Sequence, residues 1–84
     1  MDSGELQFPL DCHFRVIAEN RKGMYFVIET VLMQNGVTDP LQKEHESASG
    51  KYMSYSVDVR VDSLERMNSI DAALRSIEGV KMVM

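Results

Sequence analysis

Residues 52–61, which read YMSYSVDVRV, carry an apolar side chain at every second position from Met53 to Val61. Alternation with a period of two predicts a β-strand with one face in a core and the other in water. A strand of this kind needs neighbouring strands and an apolar layer packed on its buried face. This stretch therefore constrains the fold more than any other feature of the chain.

Three further stretches are interpreted as strands. Residues 12–19 (CHFRVIAE) alternate, with Phe14, Val16 and Ala18 on one side. Residues 80–84 (VKMVM) predict a short last strand, and residues 37–48 an edge strand at best, because proline cannot donate to a sheet ladder. Two other stretches have helical spacing. Their apolar stripes are Met24, Val27, Ile28, Val31 and Leu32 in the first, and Leu64, Met67, Ile70, Leu74 and Ile77 in the second.

The order strand, helix, strand, strand, helix, strand predicts an α+β, ferredoxin-like βαββαβ sandwich. Right-handed crossovers place both helices on one face of a four-stranded antiparallel sheet and leave the other face open. Residues 1–7 (MDSGELQ) are interpreted as a flexible lead-in, and residues 8–84 as a single domain. On the predicted register the open face displays His13, Arg15, Ile17, Ser54, Ser56, Asp58, Arg60, Lys81 and Val83.

Charge and composition narrow the classes of partner. The net charge is −4, which disfavours nucleic acid and anionic membranes because both attract basic surfaces. RNA-recognition motifs share the predicted topology, but they stack bases on open-face aromatic residues, and only Tyr52 meets that requirement. A single cysteine, no signal peptide and no long apolar run make a cytoplasmic location the default expectation.

Catalytic and metal-binding patterns are missing from the sequence. Cys12, His13 and His45 lack the spacing of metal ligands, and Cys12 and His13 face opposite sides of one strand. No nucleophile–base pair or carboxylate pair converges. The sequence therefore predicts no catalytic residue, no metal and no cofactor.

The turn Asn20-Arg21-Lys22-Gly23 is the most anion-friendly part of the chain. It lies where the first helix begins, and a helix start carries partial positive charge. A carboxylate or phosphate of a small effector fits there. The alternative is that Gly23 only relaxes the turn while Arg21 and Lys22 stay solvated. Another reading is a protein-interaction module that uses the open face or the last strand to bind a protein partner or a second copy.

Several short motifs, taken jointly, resemble the YbeD-like proteins of bacteria. They are Phe8-Pro9, Arg15-Val16-Ile17, Ser49-Gly50-Lys51-Tyr52 with Ser54 and Ser56-Val57, and the ending Val80-Lys81-Met82-Val83-Met84. The resemblance implies a ferredoxin-like fold close to the ACT regulatory domains, which bind amino acids or similar molecules near the first strand–helix loop. It implies no catalytic residue. The chain departs from the ACT pattern at Lys22, where proline is common, and from the YbeD-like pattern at Ala18, where glycine is usual.

Overall fold

The computed structural model describes residues 7–84, so the expected lead-in lies outside the described residues except for Gln7. Six elements follow one another in the predicted order. They are β1 (Leu10–Glu19), α1 (Met24–Gln34), β2 (Gln42–Glu46), β3 (Tyr52–Val61), α2 (Leu64–Arg75) and β4 (Val80–Val83). The strands form one antiparallel sheet in the order β2-β3-β1-β4, which confirms the ferredoxin-like prediction.

The two ten-residue strands β1 and β3 form the centre of the sheet. They pair without interruption from Leu10↔Val61 to Glu19↔Tyr52. Opposed residues share a face, so the apolar alternation of both strands adds to one core surface. That surface packs against α1 and α2, as the alternation of 52–61 predicted.

The predicted helical stripes are partly wrong. Met24, Ile28 and Leu32 of α1 are buried, but Val27 is 47% exposed. In α2 Ile70 and Leu74 are buried, whereas Leu64 is 49% exposed. Val27 lies one position off the buried line of α1, and Leu64 is the first residue of α2, so both side chains face water.

The last strand departs from the predicted alternation, and the placement of Val83 on the open face is wrong. Ile17 opposes Met82, but the next residue, Ala18, opposes Val80, so Lys81 is an extra residue in the ladder. One inserted residue shifts which side chains face the core. Val83 opposes Val16 and is only 3% exposed, while Met82 is 48% exposed.

Candidate functional site

The turn between β1 and α1 is built by two of its own predicted ligand residues. The side-chain amide of Asn20 donates to the carbonyl of Gly50 at 3.0 Å, and its backbone N–H donates to the carbonyl of Lys51 at 2.9 Å. These bonds tie the turn to the β2–β3 hairpin. Gly23 has a φ of 84°, a left-handed conformation that favours glycine, so its first role is also conformational.

Arg21 is held by a carboxylate of the neighbouring strand. Its Nε lies 2.7 Å and its Nη2 2.6 Å from Oε1 of Glu19. This hydrogen bond first, and then the positive charge of Arg21, lowers the pKa of Glu19; Lys81, 3.7 Å away, contributes further. The guanidinium side chain remains 46% exposed, so one face of it is available to solvent.

The start of α1 differs from the start of α2. At α2, the Ser63 hydroxyl accepts a hydrogen bond from the N–H of Arg66, and Glu65 lies in the first turn. At α1, no side chain among the described residues caps the helix, and its first turn holds no acidic residue. No atom lies within 4 Å of where a Cβ of Gly23 would stand, so the space over this helix start is open.

A shallow cavity of about 260 Å³ opens beside this turn. Arg21 and Lys22 supply cationic groups to its wall, and Glu78 supplies one carboxylate. Met24, Val27 and Ile77 give it an apolar part. The structure thus brings Arg21 and Lys22 to one cavity beside an uncapped helix start, whereas Asn20 faces the hairpin.

The charged side chains on the open face of the sheet pair largely with one another. Nδ1 of His13 lies 2.7 Å from Oδ1 of Asp58 across the β1–β3 ladder. One step along, Nη1 of Arg60 donates to Oδ1 of Asp11 at 3.0 Å. Lys81 reaches the same face through its contact with Glu19.

Serine positions of β3 are less accessible than the sequence suggested. Ser56 lies on the open face opposite Arg15, but it is only 4% exposed and its hydroxyl donates to Oε2 of Glu44 at 2.7 Å, so the prediction that it is accessible there is wrong. Ser54 bonds the backbone of His45 on β2. Arg15, directly opposite Ser56, is exposed as predicted.

Sequence reasoning missed a larger cavity of about 340 Å³ between β1 and α2. Its wall is formed by Cys12, His13, Phe14, Met67, Asn68, Asp71 and Met84. A difference in strand length could have indicated this cavity, because the alternating stretches that form β1 and β3 are about twice as long as the stretch that forms the last strand. A long strand beside a short one leaves part of its edge without a partner.

The described residues offer little for catalysis. Burial first, and then the negative charge of Asp11, raises the pKa of the Cys12 thiol, which keeps it in its weakly nucleophilic protonated form. Across residues 7–84 no three His, Cys, Asp or Glu side chains group as metal ligands do. Within the same residues, neither helix has the length and apolar character needed to cross a membrane.

Solved structures confirm the fold. Protein HP0495 of Helicobacter pylori superposes with a TM-score of 0.80 and 19% identity, over 99% of this chain and 91% of that one. The ACT domain from GTP pyrophosphokinase of Chlorobium tepidum superposes with a TM-score of 0.65 and 17% identity, over 89% and 95%. At these sequence identities the similarity shows a shared fold and nothing about function.

Sequence relatives cover nearly the whole chain. The UPF0250 protein of Haemophilus influenzae is 31% identical over 78 residues, 93% of this chain and 85% of that protein. The UPF0250 protein of Pasteurella multocida is 28% identical over 79 residues, 94% and 90%. A family model described as protein of unknown function, DUF493, matches residues 3–84. The resemblance to the YbeD-like proteins is thereby confirmed, and the chain belongs to the DUF493 family.

Proposed function

We propose that this chain is a non-enzymatic regulatory domain that binds a small effector through a carboxylate at the turn between β1 and α1. The observation that carries the proposal is the contrast between its two helix starts. Ser63 caps α2, whereas α1 begins after Gly23 with no side-chain cap and with Arg21 and Lys22 beside it.

The chemistry of the uncapped start favours an anion. The first backbone N–H groups of a helix have no intrahelical acceptor, and the helix dipole adds partial positive charge. At α1 the Met24 N–H donates to the carbonyl of Arg21 at 3.1 Å, so the N–H groups that follow it are the ones offered to an anion. A carboxylate is the right size to accept from these groups, as anions do at helix starts. Lys22 adds a full charge, and the exposed side of Arg21 adds a second.

The residues of the turn take different roles in this proposal. Lys22 contacts the effector directly, and Arg21 does so while it holds Glu19. Asn20 and Gly23 set the shape of the turn, Asn20 through its bonds to the hairpin and Gly23 through its left-handed backbone. The apolar side of the cavity, with Met24 and Val27, suits an effector with a small apolar group, such as an amino acid.

The similarity in fold to an ACT domain supports this proposal, because ACT regulatory domains bind amino acids or similar molecules near the corresponding strand–helix loop. We propose further that residues 8–84 act as one domain, without metal or cofactor, in the cytoplasm. Protein interaction through the edge of β4 or the open face has less support. Arg75 already donates to the outward carbonyl of Val83, and the charges of the open face pair with one another.

The test is a ¹⁵N–¹H NMR titration with the twenty amino acids and a set of small carboxylates and phosphates. We expect saturable shifts confined to residues 20–27 and 77–78, which line the cavity, for one chemical class. Lys22→Glu should abolish those shifts, while Lys43→Glu, the same change on the exposed edge strand β2, should leave them intact. A flat response across the panel from a folded sample would rule out the proposal for those compounds.

A further inference from the structure

The central strand β1 extends five residues beyond the reach of β4. The last contact between the two strands is a reciprocal pair of backbone bonds, in which Arg15 donates to Met84 at 2.9 Å and Met84 donates to Arg15 at 2.8 Å. The rest of β4 pairs only with residues 16–18. Among residues 7–84, no strand therefore lies beside the Leu10–Phe14 part of β1 on this side.

The orientation of the uncovered backbone groups follows from the ladder. In an antiparallel sheet, the N–H and C=O of one residue point to the same neighbouring strand, and alternate residues point the same way. Arg15 points toward β4, and the β1–β3 register continues without a bulge. The N–H and C=O groups of His13 and Asp11 consequently point sideways, away from β3 and toward the line along which β4 runs.

The cavity of about 340 Å³ lies directly against this edge. Cys12 and Phe14 form its strand side, and Met67 of α2 faces them, so the space beside the edge is apolar at its base. Asn68 and Asp71 form a polar rim on α2. An extended segment aligned with β4 would place every second side chain in this groove and the intervening ones on the open face.

Charge at the edge selects the occupant. The Asp11 side chain is 79% exposed, and its one cationic contact among the described residues is Arg60, on the far side toward β3. Asp71 adds a second carboxylate on the rim of the groove, where Nε of Arg75 lies 2.8 Å from its Oδ2, so Asp11 contributes more to the choice of occupant. Residues directly opposite one another on neighbouring strands interact, so a Lys or Arg opposite Asp11 is favoured and a Glu or Asp is disfavoured.

We infer that the edge of β1 at Asp11 and His13 binds an extended segment of another protein by strand addition. The segment runs antiparallel to β1, continuing the line of β4. An apolar side chain opposite Cys12 fills the groove against Met67, and the next residue, opposite Asp11, is basic. This site lies at the opposite end of β1 from the carboxylate site, and neither proposal depends on the other.

The probe is the capped, fluorescently labelled peptide acetyl-TVKT-amide, whose second residue is designed to lie opposite Cys12 and whose third is designed to lie opposite Asp11. Its first residue then lies opposite His13, so the peptide stays clear of Met84, which already pairs with Arg15. We expect saturable binding by anisotropy, with amide shifts confined to residues 10–15, 67–71 and 84. Amide hydrogens of Asp11 and His13 should exchange quickly in the free protein and slowly in the complex. The same peptide N-methylated at its first and third residues, which lie opposite His13 and Asp11, should bind at least ~10-fold more weakly, because it cannot donate to β1.

Two protein variants separate the backbone from the side chain. His13→Pro removes an outward N–H and the ring contact with Asp58 but no backbone bond within the sheet, so the domain should keep its fold and lose the peptide. His13→Ala loses the ring contact with Asp58 but keeps the N–H, and it should still bind. If His13→Pro does not fold, the N-methylated peptide tests the same hydrogen bonds on the unaltered protein.

Three results would overturn the inference. One is equal binding of the methylated and unmethylated peptides. Another is tighter binding of the peptide with Glu in place of Lys. The third is slow exchange of the Asp11 and His13 amides in the dilute free protein, which would mean that the edge is already covered.

Discussion

Arg75 reaches from the last turn of α2 to the outer edge of the sheet, where its Nη2 donates a 2.7 Å hydrogen bond to the backbone carbonyl of Val83. Its Nε also lies 2.8 Å from Oδ2 of Asp71, one turn earlier on the helix. An edge strand otherwise presents unpaired backbone groups to other chains. The pair Arg75–Val83 therefore protects β4 from unintended strand pairing.

Removing this protection should promote self-association. In Arg75→Ala the Val83 carbonyl is free to accept a bond from a strand of another molecule, so we expect concentration-dependent dimers or larger species. Sedimentation velocity over a hundredfold range of protein concentration measures this. Asp71→Asn is the matched control, because it removes the ion pair and keeps the bond to Val83. A strictly concentration-independent profile for Arg75→Ala would contradict the protective role.

Two neighbouring residues of α1 should differ widely in their contribution to stability. Ile28 is fully buried, so Ile28→Ala should lower the free energy of unfolding by about 2–5 kcal/mol. Val27 is 47% exposed, so Val27→Ala should change it by less than about 0.5 kcal/mol. Urea unfolding followed by circular dichroism measures both. Similar losses for the two variants would mean that both residues belong to the core stripe.

The pairing of Arg21 with Glu19 predicts a pH dependence. The folded pKa of Glu19 lies below its ordinary value of about 4.3, so the pair stabilises the fold above that pH and this contribution disappears as the pH falls through the folded pKa. In Arg21→Ala the pKa of Glu19 should rise toward the ordinary value. Carboxyl ¹³C NMR titration follows it directly, with Lys22→Ala as the control. An unchanged pKa in Arg21→Ala would mean that another group holds the Glu19 carboxylate.

Two left-handed glycines should tolerate alanine differently. At Gly23 a methyl group meets open space, so Gly23→Ala carries only backbone strain of about 1–2 kcal/mol. At Gly79, with a φ of 95°, it would lie 2.9 Å from Cε of Met24 and 3.3 Å from Cζ of Arg21. Gly79→Ala should therefore destabilise more, and thermal unfolding of the two variants compares them. Equal losses would show that Met24 and Arg21 move aside freely.

Local periodicity was enough to predict the order of the elements. The alternation of 52–61 and of 12–19 identified the central strands, because a half-buried strand has a strict period of two. The same reasoning identified which of their residues form the core: Phe14, Val16, Tyr55 and Val57 are all buried. The turn 20–23 was also identified correctly as the start of a helix next to basic residues.

Pairing between distant segments decided the rest. The extra residue at Lys81 turns Val83 into the core, and no local pattern marks a bulge in a four-residue strand. Glu44 lies on β2, a strand that the sequence barely indicated, and its carboxylate covers Ser56. The contacts of Glu19 and Asn20 fix which turn residues face the cavity beside the start of α1. Among residues 7–84, the edge at Asp11 and His13 has no partner strand, because the β1–β4 ladder reaches only to Arg15. Such features depend on strand register, which is set by contacts between residues far apart in the chain, so they arise only once the sheet has formed.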